Sequence, residues 1–483
     1  MMSFDASIDV AIPSGRLPTE LLSEIFLHCV DGVIDTSNTI TIPLLLSKIC
    51  SRWRDAAIST PRLWSRLFIQ LVTPADSQVE LVKTWLTRSG GCPLTIYVFW
   101  EEPPFLPSHP VLNALMEQSA RWRVFFCYLP SVAFPSLSRV RNRLPLLTEL
   151  SLGTDDDLPL MANGTLSMFE IAPRLTQIEC VNFAPTIFNF PWSQLSVIPM
   201  MAVSIEDSVD ILRQATNLER GGFIFVGGNQ RFPVRNWKVQ HNRLRYFTIM
   251  TPPWNETVDL RRLFSQLTFP SLENLTICNL KSPFSAEFVQ FLSRLKSLRT
   301  LHLRKTALVD NQLVQGLKHL PSLTSLIVHS SPQDTPTVTG ILLAALTWKF
   351  FSDDSKGLML VPKLKKLELT INRNVAQQFI DMVESRVMVN DEIGGNPARL
   401  EMIRVRPTEE LGEEIICQLG LIREWGTSIA IEDLEKGIPA VSLLLGFFIF
   451  YLSGMSILDL RQDPAVSTTT EAGSIEHSHG ISI

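Results

Sequence analysis

Residues 269–303 read FPSLENLTICNLKSPFSAEFVQFLSRLKSLRTLHL, and this stretch shows how the chain is organised. The pattern Leu-x-x-Leu-x-Ile begins at Leu272, and a closely similar pattern begins 26 residues later at Leu298. The last two apolar residues of each copy are two positions apart, so on a β-strand they point to the same side. Between the copies, residues 286–296 carry apolar side chains at the spacing of one helix face. The stretch therefore predicts a unit composed of a strand, a turn and a helix.

The same pattern recurs along most of the chain. Its copies begin at Leu147, Leu175, Leu195, Leu218, Leu244, Leu272, Leu298, Leu323, Leu364 and Leu400, the copy at Leu218 being degenerate. Seven of the nine steps between successive copies are 20 to 28 residues long, which is the period of leucine-rich repeats. On this evidence the chain resembles leucine-rich-repeat proteins. The two longer steps hold insertions in residues 332–354 and 375–396.

A single copy is too small to fold alone. It buries roughly three aliphatic side chains at about 1.5–3 kcal/mol each, whereas ordering its backbone costs roughly 1–2 kcal/mol per residue. We therefore expect the copies to stack into one array over residues 144–436. Residues 72–143 mix a helical stretch at 77–89 with strand-like runs at 94–100 and 123–129. They are interpreted as a linker and irregular first units.

The array is expected to expose the variable positions of its strands. In successive copies these positions include Thr276, His302, Ile327 and Glu368. Such a face would offer a binding surface. The variable positions carry no code from which the identity of a bound molecule could be predicted.

A second pattern lies in residues 16–71, before the array. It begins with RLPTELLSEIFLHCV at Arg16 and, after a polar insert in residues 30–42, continues with PLLLSKICSRWRDAAISTPRLWSRLFIQL from Pro43. Apolar residues recur at helical spacing in both parts, and proline is tolerated in a first helical turn. Two or three short helices cannot bury this much apolar surface among themselves. Part of it is therefore expected to contact a partner.

These residues resemble the F-box, in the form found in the F-box proteins expanded in mushroom-forming fungi. The elements that carry the resemblance occur in order as Leu17-Pro18, Leu21-Leu22-x-x-Ile25-Phe26, Pro43-Leu44-Leu45, Cys50-x-x-Trp53 and Leu63-Trp64. The polar insert is longer than usual for the family. The resemblance implies docking onto the Skp-type adaptor of a cullin–RING (SCF) ubiquitin ligase, and through the adaptor onto cullin. It implies that the adaptor-facing or adaptor-supporting residues are Leu17, Pro18, Leu21, Leu22, Ile25, Phe26, Pro43, Leu44, Leu45 and Trp53. The sequence does not separate these two roles.

Charge and cysteine content argue against a nucleic-acid-binding protein and against a secreted, disulfide-linked one. The chain has 483 residues and a net charge of −5, with 43 Lys and Arg against 48 Asp and Glu. No block of basic residues predicts nucleic-acid binding. The seven cysteines are scattered singly, which is typical of reduced thiols in a cytoplasmic or nuclear protein; Cys29 and Cys50 are expected to be small core residues. Residues 1–15 lack a basic residue and a long apolar run, so they are interpreted as a flexible arm rather than a secretory signal.

The end of the chain is unusually apolar. Residues 438–458 read IPAVSLLLGFFIFYLSGMSIL and contain no charge. As a helix they would span about 31 Å, close to the thickness of the hydrocarbon core of a bilayer. Residues 437–458 are therefore a candidate transmembrane helix, with 459–483 as a polar tail, and the protein would then be tail-anchored in an intracellular membrane. Two alternatives remain open: a helix that caps the array, and a reading frame whose last exon is wrong.

Nothing in the sequence predicts catalysis by this chain. The motifs HExxH, GxSxG, GxxxxGK[ST] and GxGxxG are absent. His477 and His479 could contact a metal, but they lie in the polar tail, and the acidic run Asp155-Asp156-Asp157 lacks the spacing of a calcium loop. We expect no catalytic residue, no cofactor and no metal.

The sequence thus predicts an α/β protein. A short three-helix F-box-like domain would precede an irregular leucine-rich-repeat solenoid, shaped as a horseshoe, with a possible C-terminal transmembrane helix. The expected function is that of a non-catalytic substrate-recognition subunit of an SCF-type ubiquitin ligase. The alternative is a tail-anchored leucine-rich-repeat scaffold without ligase association.

Overall fold

A computed structural model gives the structure of the chain. It describes residues 17–31, 41–73, 75–100, 103–154, 165–181, 185–226, 238–252, 258–280, 286–306, 310–329, 338–348, 360–389 and 397–431.

The main feature of the fold is a parallel sheet of fourteen strands. Its strands, in their order across the sheet, are β1 (Arg66–Gln70), β2 (Leu94–Phe99), β3 (Trp122–Tyr128), β4 (Glu149–Gly153), β5 (Gln177–Val181), β6 (Val197–Val203), β7 (Arg220–Phe225), β9 (Tyr246–Met250), β11 (Asn274–Cys278), β12 (Thr300–Arg304), β13 (Ser325–His329), β14 (Lys366–Ile371), β15 (Met402–Pro407) and β16 (Ser428–Ile431). A separate pair consists of β8 (Val239–Gln240) and β10 (Leu267–Thr268). Each strand therefore pairs with the one before and the one after it in the chain, apart from β8 and β10.

The register places equivalent positions of the sequence pattern side by side. Leu275 of β11 pairs with Leu301 of β12, which pairs with Leu326 of β13. All three side chains are buried. The residues between them along each strand point to the opposite face and remain partly exposed, as in the strand pattern of β12, where burial alternates. One face of the sheet is thus packed, and the other is open.

The helices are α1 (Thr19–Asp31), α2 (Thr41–Ile49), α3 (Ser51–Ile58), α4 (Asp76–Arg88), α5 (Pro110–Glu117), α6 (Ile205–Gln214), α7 (Arg261–Gln266), α8 (Ala286–Arg294), α9 (Asp310–Leu317), α10 (Gly340–Leu346), α11 (Ala376–Val387) and α12 (Glu413–Glu424). From α7 to α12, each helix packs against the next one in the chain. Their apolar faces join the strand leucines in one hydrophobic core that extends from Leu22 to Ile422.

Turns before the strands are linked by main-chain hydrogen bonds. The carbonyl oxygen of Glu273 accepts from the N–H groups of Arg299 and Thr300, at 2.8 and 2.9 Å. One unit later, the carbonyl oxygen of Arg299 accepts from Thr324 and Ser325 at 2.8 and 2.9 Å. The same double acceptance recurs in most units from β4 onward, so the polar main-chain groups of each turn are satisfied by the neighbouring unit.

Buried polar side chains connect neighbouring units. Arg386 of α11 is fully buried, and its guanidinium donates to the carbonyl oxygens of Leu346 at 2.9 Å, Leu360 at 2.8 Å and Val361 at 3.4 Å. Burial lowers the pKa of Arg386 to about 10. The side chain therefore ties the end of α10 and the turn before β14 to α11.

Several details of the N-terminal block differ from the sequence expectation. The block 16–71 is not entirely helical, because residues 66–70 form β1, the first edge of the sheet. The run from Pro43 is divided into two helices at Cys50, whose sulfur accepts from the N–H of Trp53 at 3.5 Å. Cys29 and Cys50 are exposed, so the expectation that they are core residues was wrong. A cysteine has too little apolar surface for its position to follow from helical spacing alone.

The candidate membrane segment 438–458 lies outside the described residues, as do the arm 1–15 and the polar tail 459–483. Within residues 17–431, as far as they are described, no helix has the length and apolar character needed to cross a bilayer.

Candidate functional site

The N-terminal helices separate the ten predicted adaptor-binding residues into buried and exposed groups. On α1, Leu22 and Phe26 are buried in the core, whereas Leu21 and Ile25 are exposed by 51% and 44%. Both pairs have the i, i+4 spacing of a single helix stripe. Leu22 and Phe26 therefore support the helix, and Leu21 and Ile25 are available to a partner.

Helix α2 repeats this arrangement. Pro43 is buried in its first turn, and Leu44 is partly buried against the core. Leu45 is exposed by 57%, and Ile49, one turn further on, by 58%. Ile49 was missed in the sequence prediction, although its i+4 spacing from Leu45 could have identified it.

The other predicted residues have supporting positions. Leu17 is partly buried, and its carbonyl oxygen accepts from the guanidinium of Arg52 in α3. Pro18 is exposed at the start of α1. Trp53 is partly buried and packs on Phe26, with ring centroids 5.0 Å apart. Two exposed apolar stripes thus rest on a packed base of leucine, phenylalanine and tryptophan.

Trp64 attaches these helices to the sheet. Its ring is fully buried and its Nε1–H donates to the carbonyl oxygen of Ala57 at the end of α3, at 2.8 Å. The ring meets Trp85 of α4 edge to face, with centroids 4.9 Å apart, and the guanidinium of Arg88 lies 4.4 Å above it. The side chain contacts the helices on one side and the first strand–helix unit on the other.

The open face of the sheet carries the four variable positions named from the sequence. Thr276, His302, Ile327 and Glu368 lie side by side in one row across β11 to β14, and Arg404 of β15 continues the row. The prediction that these positions share a face is consistent with this register. His329 and Arg406 lie two positions further along β13 and β15, and they complete a polar cluster with this row.

Glu368 is at the centre of this cluster. Its Oε1 lies 2.7 Å from Nε2 of His329 and 3.1 Å from Nη2 of Arg406, and its Oε2 lies 4.0 Å from Nη1 of Arg404. Burial favours the neutral acid, but the hydrogen bond from His329 and the charges of His329, Arg406 and Arg404 together hold the pKa of Glu368 below its usual value. The carboxylate therefore stays ionised.

His329 lies between two charged side chains. Its Nε2 faces the carboxylate of Glu368 at 2.7 Å, and its Nδ1 lies 3.4 Å from Nη1 of Arg406. The imidazole therefore connects Glu368 to Arg406 through both of its ring nitrogens.

His302 differs from its neighbour. Its ring meets that of His329 edge to face at 5.3 Å, and its Nε2 is buried without a hydrogen-bond partner among the described residues. Burial lowers the pKa of His302 to about 4, with the charges of His329, Arg304 and Arg406 acting in the same direction and Glu368 opposing them. The ring is therefore neutral at physiological pH.

The opposite end of the open face is aromatic. Phe68, Phe99 and Phe126, on β1 to β3, follow one another with ring centroids 5.0 and 5.2 Å apart, and Tyr97 lies 5.9 Å from Phe126. The face thus changes from aromatic at one end to charged at the other.

In the described part of the chain, no group of three or more His, Cys, Asp or Glu side chains is arranged to hold a metal ion. The two tail histidines, His477 and His479, and the acidic run 155–157 lie outside the described residues.

Comparison with known proteins gives no assignment, because no family model matches the chain and no curated protein matches it.

Proposed function

We propose that the chain is the substrate-recognition subunit of an SCF-type ubiquitin ligase. In this proposal the N-terminal helices form an F-box that docks the Skp-type adaptor, and the strands and helices that follow form a leucine-rich-repeat solenoid whose open face binds a protein substrate. The observation that carries the proposal is the pair of exposed apolar stripes at Leu21 and Ile25, and at Leu45 and Ile49. Apolar side chains half exposed in adjacent turns are typical of a surface that a partner covers.

The chain would contribute proximity rather than chemistry. Binding the substrate on the open face and the adaptor on the helices would hold a substrate lysine near the charged ubiquitin-conjugating enzyme. Such positioning replaces a bimolecular encounter by an effectively intramolecular one. The partners would carry out the transfer reaction itself.

The test is a binding measurement between the full-length chain and the Skp-type adaptor. Full burial of a leucine or isoleucine side chain contributes about 1.5–3 kcal/mol, so covering a side chain that is half exposed is worth about 1 kcal/mol. Four alanine substitutions should then weaken binding by at least about 100-fold. The variant carries Leu21→Ala, Ile25→Ala, Leu45→Ala and Ile49→Ala.

A matched control removes the same kind of side chain elsewhere. Ile171, Ile341, Leu421 and Met388 are exposed by 51% to 66% and lie outside the N-terminal helices. Their replacement by alanine should leave adaptor affinity unchanged. Failure of the wild-type chain to bind the adaptor, or equal affinities of the two quadruple variants, would refute the proposal and favour a scaffold without ligase association.

A further inference from the structure

A basic groove lies along the turns that precede the strands, away from the open face. It has a volume of about 680 Å³ and is lined by residues that stand at fixed offsets before six neighbouring strands, from β7 to β14. Strands are about 4.8 Å apart, so these turns extend over about 24 Å. An extended peptide of about seven residues would fill that length at about 3.3 Å per residue.

The lining is strongly cationic. Arg243, Arg245, Lys296, Arg299 and Lys363 contribute five positive charges. They come from three different turns, which explains why no basic block is visible in the sequence. In a chain whose net charge is −5, this concentration of positive charge creates a local potential that attracts anions.

Two carboxylates interrupt the line of positive charge. Glu219 and Glu273 also line the groove, which leaves a formal charge of +3. Glu273 lies 3.9 Å from Nε of Arg245, and Arg243 donates to Asn217 at 2.8 Å. By contrast, Lys296, Arg299 and Lys363 form no ion pair with another described residue. Their mutual repulsion would be relieved by an anionic ligand.

Hydroxyl groups lie between these cations. Ser271, Ser297 and Ser322 occupy the third position before β11, β12 and β13, between Arg243 before β9 and Lys363 before β14. The hydroxyl of Ser297 donates to the carbonyl oxygen of Pro270 at 2.8 Å, so Ser271 and Ser322 are the hydroxyls offered to a ligand. Guanidinium, ammonium and hydroxyl groups are the donors that proteins use to bind carboxylates and phosphates. The regular spacing of the donors suits a chain with anionic groups at intervals better than a single small ion.

We propose that this groove binds an extended peptide segment of the substrate that carries several anionic groups, either carboxylates or phosphates. The inference rests on the proposed function, which it deepens by naming the class of substrate. A peptide is favoured over a nucleic acid because Glu219 and Glu273 would repel the evenly spaced phosphates of a nucleic-acid backbone, whereas a peptide can present neutral residues to them.

The experiment measures binding of the full-length chain to fluorescein-labelled octapeptides in 50 mM salt. Glycine alternates with glutamate, with phosphoserine or, as the neutral reference, with glutamine. We expect the anionic peptides to bind and the neutral one not to bind. Their affinity should fall as salt is raised to 500 mM, because exposed charges are then screened over a few ångströms. The tighter of the two anionic peptides identifies the anion.

A triple variant tests the site itself. Replacing Lys296, Arg299 and Lys363 by serine removes exposed charges only, and should weaken binding of the anionic peptides by about tenfold. The control variant replaces three exposed cations elsewhere, Lys83→Ser, Arg174→Ser and Arg213→Ser, and should bind as the wild type does. Lys363→Ser alone should give a smaller loss.

Three results would overturn the inference: no binding of either anionic peptide, equal binding by the wild type and the triple variant, or tighter binding of a twelve-residue oligothymidylate that the triple variant loses. Adaptor affinity is measured on the same variants. If the triple variant loses peptide binding but keeps its adaptor affinity, the loss is specific to the groove. If neither the wild type nor any variant binds the adaptor, the proposed function is wrong, whatever the peptide measurement shows.

Discussion

Replacement of His302 by glutamine should remove a defined part of the acid sensitivity of the sheet. In the folded chain the pKa of His302 is lowered to about 4 by burial, whereas in the unfolded chain it is about 6.5. Below pH 6.5 the unfolded state binds a proton that the folded state does not, so stability is lost as the pH falls toward 4. Glutamine keeps a polar side chain but does not titrate.

The magnitude follows from these two pKa values. Between pH 7 and pH 5 the proton linkage of His302 costs about 2 kcal/mol, and by pH 4 about 3 kcal/mol. Glu368, whose charge also acts on His302, has a pKa held below its usual value. Groups that titrate alike in the two chains cancel in the comparison, so the difference between wild type and variant reports the loss of His302.

Hydrogen exchange measured by mass spectrometry is the appropriate assay, because a long stacked array does not unfold in one step. The free energy of opening of peptides that cover β12 should fall by about 2 kcal/mol more in the wild type than in H302Q when the pH is lowered from 7 to 5. The exposed His319, replaced by glutamine, serves as the control and should leave the wild-type dependence intact. An identical pH dependence in wild type and H302Q would refute the reasoning.

Two further substitutions test how the array is built. Gly222→Ala would place a Cβ atom 2.2 Å from the carbonyl oxygen of Pro199 on β6, so we expect a loss of about 1–3 kcal/mol in the free energy of opening of β6 and β7, measured by hydrogen exchange. The neighbouring Gly221→Ala meets only side-chain atoms, the nearest at 3.2 Å, and a larger loss at this position would contradict the assignment. Trp64→Phe removes the donor to the buried carbonyl of Ala57 and should cost about 1–3 kcal/mol; proteolysis should then cleave between α3 and β1 more readily than in the wild type, and unchanged cleavage would count against the attachment described above.

The positions of the strands could be predicted because their signal is local. Each of the ten copies of the leucine pattern coincides with a strand, from β4 at the copy of Leu147 to β15 at the copy of Leu400. The strand-like runs 94–100 and 123–129 correspond to β2 and β3. Alternation of apolar and other residues over five positions suffices to locate a strand, since side chains repeat their direction every two residues. The first strand was not predicted, because its residues continue the apolar run of the helices.

The sequence could not predict which of the N-terminal apolar residues are buried and which are exposed. Leu21 and Leu22 are chemically identical neighbours, and each begins its own i, i+4 pair on α1. The packing of α1 against α2, α3 and residues 61–64 decides which pair is buried. Helical periodicity gives the width of an apolar stripe but not the direction in which its neighbours lie.

The polar cluster and the groove were missed for a different reason. His329 contacts Glu368 across 39 residues of sequence and Arg406 across 77. The row that contains Glu368 follows from the repeat spacing, but these contacts depend on the register across two long insertions. Likewise, the cations of the groove stand one or two to a turn, and only stacking brings them together.

The continuous hydrophobic core fixes the distance between the N-terminal helices and the groove. Because Trp64 is buried between the helices and the first strand–helix unit, the exposed stripes of α1 and α2 are not separated from the sheet by a free linker. Strand β12, near the middle of the groove, is nine strands from β1, or about 43 Å along the sheet. In a ligase of the kind proposed, moving a bound segment by one strand would shift the substrate by about 4.8 Å. The sheet would then set the distance between the substrate and the adaptor in steps of one strand. The choice of lysine would depend on the strand at which the substrate is held.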